Sequence, residues 1–340
     1  MNEGPIRPAG PFVVVRDAVD APARNAGELK GAVLALGNFE GVHRGHRAVI
    51  RAARSRAHAL HCPAAAMTFE PHPREFFNPG IGVFRLTDLT AKLRLLAMTG
   101  LDGTVVMNFD AALATLTAEE FIARILVDRY AVVGVVVGDD FHFGKGRGGT
   151  PAFLQAQGRE RGFAVEIVQA YLDGAQRVSS GVVREELAAG EVEKAARLLG
   201  YPWFVSGTVV HGDKRGRELG FPTANIKVDP NCRLRHGVYA VRVGIGHRRY
   251  DGVANFGRRP MFDSGVVLLE VFLFDFAGDL YGETLDVAFI DWIRPEEKFG
   301  SLDALIQQMK EDSRRAQVAL ALAADAFPVL AAPQMVGGTP

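Results

Sequence analysis

Glu270 sits inside the apolar run Val266-Val-Leu-Leu-Glu-Val-Phe-Leu-Phe274, on a strand face shared with Leu268 and Phe272. A carboxylate there is costly to bury unless it is paired or hydrogen-bonded. Such a carboxylate suits a base that takes a proton from a substrate hydroxyl. If the face is open to solvent, Glu270 is a surface residue instead. Upstream, Gly207 to Asn225 has a basic, glycine-rich centre with Gly216 and Gly220, then Phe221-Pro222-Thr223-Ala-Asn225. Backbone donors and positive charge can cradle phosphate. Thr223 and Asn225 offer side-chain oxygens two residues apart, suited to a hard cation such as Mg²⁺ shared with ATP. The Lys-Ser/Thr ending of a Walker P-loop is absent.

A second constellation runs Leu36-Gly37-Asn38-Phe39-Glu40-Gly41-Val42-His43-Arg44-Gly45-His46. Glycines let the backbone approach an anion, and a helix opening near Gly45 presents free N–H groups. His43 and His46 are one helical turn apart and can stabilise charge on a departing pyrophosphate. His-x-x-His can also chelate a metal, but no Cys or acidic third ligand stands at a familiar spacing. Gly144-Lys-Gly-Arg-Gly-Gly149 fits a dinucleotide fingerprint, with Glu166 downstream. In a true fingerprint the glycines start at the strand end, whereas here Gly138–Phe143 intervenes, so a basic flap over a nucleotide fits better.

The elements that must position these residues fall into two rhythms. Apolar runs at Ala32–Leu36, Ala64–Phe69, Thr104–Phe109, Ala131–Val137 and Phe163–Val168 alternate with helical patterns at Gly45–Leu60, at Thr87–Thr99 and after the capping box Thr117-Ala-Glu-Glu120. That is an α/β arrangement, a Rossmann-like parallel sheet with ligands at the strands' carboxyl ends. A helix is expected over Val182–Leu199. Strand-like runs then follow at Phe204–Val210, Val238–Val243, Tyr250–Asn255, Val266–Phe276 and Glu283–Ile290. With no long helix between them, they predict an antiparallel barrel or sandwich. A last helix, Ser301 to about Ala324, shows Leu302, Leu305, Ile306 and Met309, and the tail 332–340 is expected to be disordered.

The chain has 340 residues, enough for two domains, divided at 1–187 and 188–331. Lys plus Arg and Asp plus Glu both number 39, which argues against nucleic acid or an acidic membrane surface as partner. No apolar stretch approaches a membrane span. Two cysteines, no disulfide framework and no signal-peptide pattern predict a reduced, cytoplasmic protein.

The motifs resemble one family throughout. Gly37 to His46 is similar to the His-x-Gly-His signature of nucleotidylyltransferases, most of all the bacterial bifunctional riboflavin kinase/FAD synthetases. Thr68-Phe-Glu-Pro-His-Pro73, Gly138-Asp-Asp-Phe-His-Phe-Gly144 and Arg177-Val-Ser-Ser180 match in order. So do Gly-Phe-Pro-Thr-Ala-Asn225, Gly237-Val-Tyr239, Gly252-Val-Ala-Asn-Phe-Gly-Arg-Arg-Pro260 and Leu269-Glu-Val271. The resemblance implies an N-terminal FMN adenylyltransferase domain and a C-terminal riboflavin kinase barrel with a terminal helix. It implies riboflavin, FMN, FAD and ATP as ligands. It further implies phosphate handling by His43, Gly45 and His46, Asp140 near ATP, and Arg177 and Ser180 over the triphosphate. In the barrel it implies Mg²⁺ on Thr223 and Asn225 and Glu270 as base. Glu40 stands where the family usually has Asp, and Gly181 where it usually has Thr. These two departures leave open a riboflavin kinase whose adenylyl step is weak or lost.

Overall fold

The computed structural model describes residues 11–21, 27–211, 221–258 and 267–324. The chain divides into two compact units. One takes in the described residues up to Val83 with Thr87–Val178, the other Phe84–Leu86 and the described residues from Ser179 on. The tail 332–340, Gly216 and Gly220 lie outside the described residues.

The first unit is built on six parallel strands: β1 (Val13–Asp17), β2 (Val33–Leu36), β3 (Ala64–Glu70), β4 (Gly103–Asn108), β5 (Gly134–Gly138) and β6 (Ala164–Val168). Their order is β1-β4-β3-β2-β5-β6. The central strands β2 and β3 are Ala-containing, largely apolar runs, buried nearly throughout, as a sheet covered on both faces requires. Helices α1 (Arg44–Leu60), α2 (Pro73–Phe77), α3 (Leu89–Ala97), α4 (Ala111–Thr115), α5 (Ala118–Glu120, continuing as a π-helical Phe121–Arg129) and α6 (Pro151–Arg161) connect them. The Thr117–Glu120 capping box is formed in full. A short antiparallel hairpin, β7 (Leu172–Asp173) and β8 (Gln176–Arg177), closes the unit.

Strand β1 carries no expected element of its own. It joins the sheet edge beside β4 and is tied down by polar contacts. The Tyr130 hydroxyl donates to Asp17 at 2.6 Å, and the Arg129 guanidinium donates to Asp17 at 2.7 Å and to the carbonyls of Val19 and Ala21.

The second unit begins with α7 (Ser180–Ala189) and α8 (Val192–Leu199). The single helix expected over Val182–Leu199 is two helices, because Gly190 takes a left-handed conformation at φ 84 and ends the first. Glycine adopts that region at little cost. Six strands then close a barrel in the order β10-β13-β12-β11-β14-β9. They are β9 (Phe204–Val210), β10 (Thr223–Lys227), β11 (Gly237–Ile245), β12 (Arg248–Arg258), β13 (Val267–Leu273) and β14 (Thr284–Arg294). Helix α9 (Leu302–Leu322) packs outside on β11, β12 and β14. Its buried residues are Asp312, Ala316 and Leu320, not the expected stripe at its start, where Leu302 is exposed. The guanidinium of Arg294 grips Asp312 at 2.7 and 2.8 Å, so a charged pair sets the helix's facing.

Candidate functional sites

In the first unit, the segment after β2 sits at the carboxyl end of the sheet. Gly37 continues the strand by donating to the Met67 carbonyl. Phe39 then turns left-handed at φ 47, and Val42 does so at φ 38. Positive φ at a β-branched residue costs on the order of 1–3 kcal/mol and persists only where the surroundings enforce it. Here the enforcement is a clasp between Glu40, Gly41 and Thr87. Thr87 N donates to the buried Glu40 carboxylate at 3.0 Å, and Gly41 N donates to the Thr87 hydroxyl at 3.3 Å. The longer reach of glutamate at position 40 thus serves the protein's own backbone.

His43 caps α1, its Nδ1 accepting from His46 N at 3.2 Å. With Nδ1 an acceptor, neutral His43 carries its proton on Nε2. The His43 and His46 rings stack at 3.6 Å between centroids and 16° between planes. A metal must lie near the plane of each imidazole that binds it, and two nearly parallel stacked planes share no such point at bonding distance. Stacked in this way, the two rings cannot chelate one metal ion together. Burial first, then repulsion from His43 when that ring is protonated, and then the charge of Lys92, hold His46 well below the usual imidazole value. Gly45 leaves room beside this pair: a Cβ would fall 3.1 Å from the His43 ring and 3.4 Å from the Val178 carbonyl.

Arg177, on the hairpin, reaches back to the end of β5. Its guanidinium lies 2.7 Å from Asp139 and 2.9 Å from Asp140. Asp139 also accepts from Ala170 N at 3.3 Å, tying both ends of this segment together. Ser180 is the first residue of α7 and belongs to the other unit. At Gly181 a Cβ would meet only the Ser179 hydroxyl, 3.6 Å away, so packing does not exclude a side chain there. The glycine-rich Gly144–Gly149 stretch is a tight turn closed by an antiparallel bridge between Phe143 and Gly149, set apart from the strand end that a dinucleotide fingerprint needs.

In the barrel, β10 and β12 flank β13, and Asn225 and Asn255 both stand opposite Glu270 in register. Thr223 lies two residues from Asn225, on the same strand face and opposite Phe272. Core residues alternate with this set: Val267, Leu269, Val271 and Leu273 are buried, whereas Leu268, Glu270 and Phe272 are half-buried. Glu270 thus projects from the barrel's outer face, and Phe221 packs edge-on against Phe272 at 5.1 Å. Asn225 is 6% exposed, and its Oδ1 is buried with no hydrogen-bond partner among the described residues. A buried amide oxygen without a donor calls for a ligand. It fits a hard cation that draws its remaining ligands from a nucleotide. Among the described residues no group of three or more His, Cys, Asp or Glu is placed to hold a metal by itself.

Comparison with known proteins covers both units. The family model for FAD synthetase matches residues 25–182, and that for riboflavin kinase matches residues 199–320. The bifunctional riboflavin kinase/FMN adenylyltransferase of Escherichia coli is 44% identical over 289 residues, covering 85% of this chain and 92% of that one. This chain belongs to the bifunctional riboflavin kinase/FMN adenylyltransferases. The Pseudomonas fluorescens member is 45% identical, covering 84% of this chain and 92% of its own. The Listeria monocytogenes member is 38% identical, covering 83% and 90%. A solved structure described as a macrolide-efflux protein from Streptococcus pneumoniae superposes with a TM-score of 0.79 at 30% identity, covering 90% of this chain and 99% of its own. Among the described residues no helix is long and apolar enough to cross a membrane.

The structure also brings forward residues to which sequence reasoning assigns no role. Phe76 and Phe77 of α2 stack edge-on with Phe109 at 5.4 and 5.7 Å, and Phe77 is 61% exposed. An exposed aromatic surface just past the ends of β3 and β4 can receive a planar ring. The Phe-Phe pair after His72-Pro73 was the available signal. Asp139 and Asn255 stand inside motifs of the family, but their partners Arg177 and Glu270 are distant in the chain and only the fold shows them.

Proposed function

We propose that the chain phosphorylates riboflavin to FMN in its barrel unit and adenylylates FMN to FAD in its parallel-sheet unit. The observation that supports this reading is that each unit of the chain matches one of the two enzyme families and carries a constellation suited to phosphate.

In the barrel reaction the 5′-hydroxyl oxygen of riboflavin bonds to the γ-phosphorus of ATP. The bridge to the β-phosphate breaks, and the hydroxyl proton passes to the Glu270 carboxylate, leaving FMN and ADP. The half-buried strand position of Glu270 supports this role. Thr223 and the orphaned Asn225 Oδ1 would hold Mg²⁺, whose bound charge would neutralise the phosphates. Phe221, Pro222 and the basic stretch holding Gly216 and Gly220 would line the ATP phosphates.

In the other unit a phosphate oxygen of FMN bonds to the α-phosphorus of ATP, and the bond to the β-phosphate breaks to release pyrophosphate. The attacking oxygen is already anionic near neutral pH, so no base is required. His43, His46, Arg177 and Ser180 would stabilise charge on the triphosphate. Gly37, Asn38, Phe39 and Gly45 would present backbone to it, with Asp140 near the nucleotide. The exposed Phe77 would stack on the isoalloxazine. The free thiols of Cys62 and Cys232 support a reducing, cytoplasmic setting.

Incubation of the purified chain with riboflavin, ATP and Mg²⁺, followed by chromatographic separation of the flavins, tests the reading. FMN appearing first and FAD afterwards is the expected course. FMN without FAD, even from supplied FMN, would reduce the function to riboflavin kinase alone.

A further inference from the structure

Lys92 is a buried charged group of the first unit that the proposed chemistry does not use. It lies on α3 and is fully buried, at 0% exposure. Lysine is rarely enclosed in this way unless paired. Its ammonium sits 3.4 Å from the Thr68 hydroxyl and 3.5 Å from the Glu70 carboxylate. Thr68, equally buried, donates to the Asn38 carbonyl at 2.9 Å.

The direction of this relay is fixed by chemistry. An ammonium has only donors, so Thr68 can only accept from it. The single hydroxyl hydrogen of Thr68 is then committed to the Asn38 oxygen. In a planar trans peptide the C=O and the following N–H point in opposite directions. Drawing the Asn38 carbonyl toward Thr68 therefore turns Phe39 N–H to the opposite side. This is the peptide where the chain swings left-handed, at the end of β2 and just ahead of the stacked histidines.

We propose that Lys92 is a positioning residue of the adenylyl-transfer site, orienting the Asn38–Phe39 peptide through Thr68 so that Phe39 N–H is offered to the nucleotide. The proposal rests on the adenylyl-transfer reading of this unit. The same ammonium supplies fixed positive charge beside His46. The other titratable group against that imidazole is His43, whose ring stacks on it at 3.6 Å between centroids.

The test uses the full chain and supplied FMN, with riboflavin phosphorylation as an internal measure of intact protein. Failure of the wild-type chain to make FAD from FMN sinks the adenylyl reading itself and the proposal with it. Given wild-type activity, Thr68→Val removes the relay hydroxyl at nearly constant volume and unchanged charge. It is expected to raise the KM for ATP about tenfold while kcat stays within about threefold, the pattern of a lost binding interaction. Thr68→Ser keeps the hydroxyl and is expected to restore the KM. Partial unfolding would do the reverse, lowering apparent kcat at constant KM. Lys92→Met is expected to raise the KM at least as much and to move the His46 imidazole titration, followed by NMR, to higher pH. If Lys92→Met does not fold, the Thr68 pair decides. A KM for ATP in Thr68→Val within twofold of wild type, or no recovery in Thr68→Ser, overturns the proposal.

Discussion

Asn225 and Glu270 face one another across the ladder between β10 and β13, although they are far apart in the chain. A carboxylate and an amide with an unsatisfied oxygen therefore share one patch of the barrel's outer face. Glu270→Gln keeps the shape of this patch and removes proton acceptance. FMN formation should fall about 10²–10⁴-fold, the usual range for a lost general base. FAD formation from supplied FMN should persist. Near-normal kinase turnover in this variant would show that another group takes the proton, with Asp251 the first to test.

Asn225→Leu separates stability from function. The wild-type residue holds a buried acceptor without a partner, a source of instability that an apolar side chain removes. The metal-free variant should unfold at or slightly above the wild-type temperature, with a gain of up to about 1 kcal/mol. Its riboflavin kinase activity should be lost at any Mg²⁺ concentration. A clear drop in thermal stability would mean that the amide serves the fold instead.

His46→Ala should abolish FAD formation and leave FMN formation nearly intact. Parallel loss of both products in folded protein would contradict separate sites. The imidazole also links stability to pH. Its folded pKa lies below the usual 6.5, so the unfolded chain binds the proton more readily. The contribution is fully present above pH 6.5 and is lost as pH falls from there through the folded value. Denaturant titrations at about pH 7.5 and about pH 5.5 should show His46→Gln losing less stability on acidification than wild type. Equal losses would remove His46 from the account.

Arg242 is 5% exposed and closes the end of α9, donating to the carbonyls of Leu320 at 2.9 Å and Ala324 at 2.5 Å. A cation at a helix C-terminus satisfies otherwise orphaned acceptors. Arg242→Met should destabilise the barrel unit by about 2–3 kcal/mol, since the freed carbonyls remain partly buried. Differential scanning calorimetry would register the loss. FAD formation from supplied FMN should continue, because the affected contacts lie within the barrel unit.

The sequence displayed most strands because their apolar runs are uninterrupted, and it displayed the motifs because they are contiguous. It hid what depends on partners distant in the chain. Strand β10, Thr-Ala-Asn-Ile-Lys, has too little apolar character to stand out, yet it pairs with both β9 and β13 and delivers Asn225 to Glu270. Lys92 reads as a polar position on a helix, and only the sheet beneath it reveals its burial. Gly190 falls inside the helix expected over Val182–Leu199, and its left-handed geometry splits that helix in two. The facing of α9 was misjudged because a buried ion pair outweighed the apolar residues of its first turns.

Closure distinguishes the two sheets in one more respect. Among the described residues every barrel strand has a neighbour on each side, so the barrel leaves no open ladder with which a second molecule can pair. The parallel sheet ends on β1 and β6, and the residues of β6 are half-buried along its whole length. Open edges of this kind are where aggregation starts when a protein is heated or refolded at high concentration. Glu166 interrupts the apolar run of β6, and Arg16 lies exposed on β1. These two charges act as gatekeepers of solubility for a sheet that cannot close on itself.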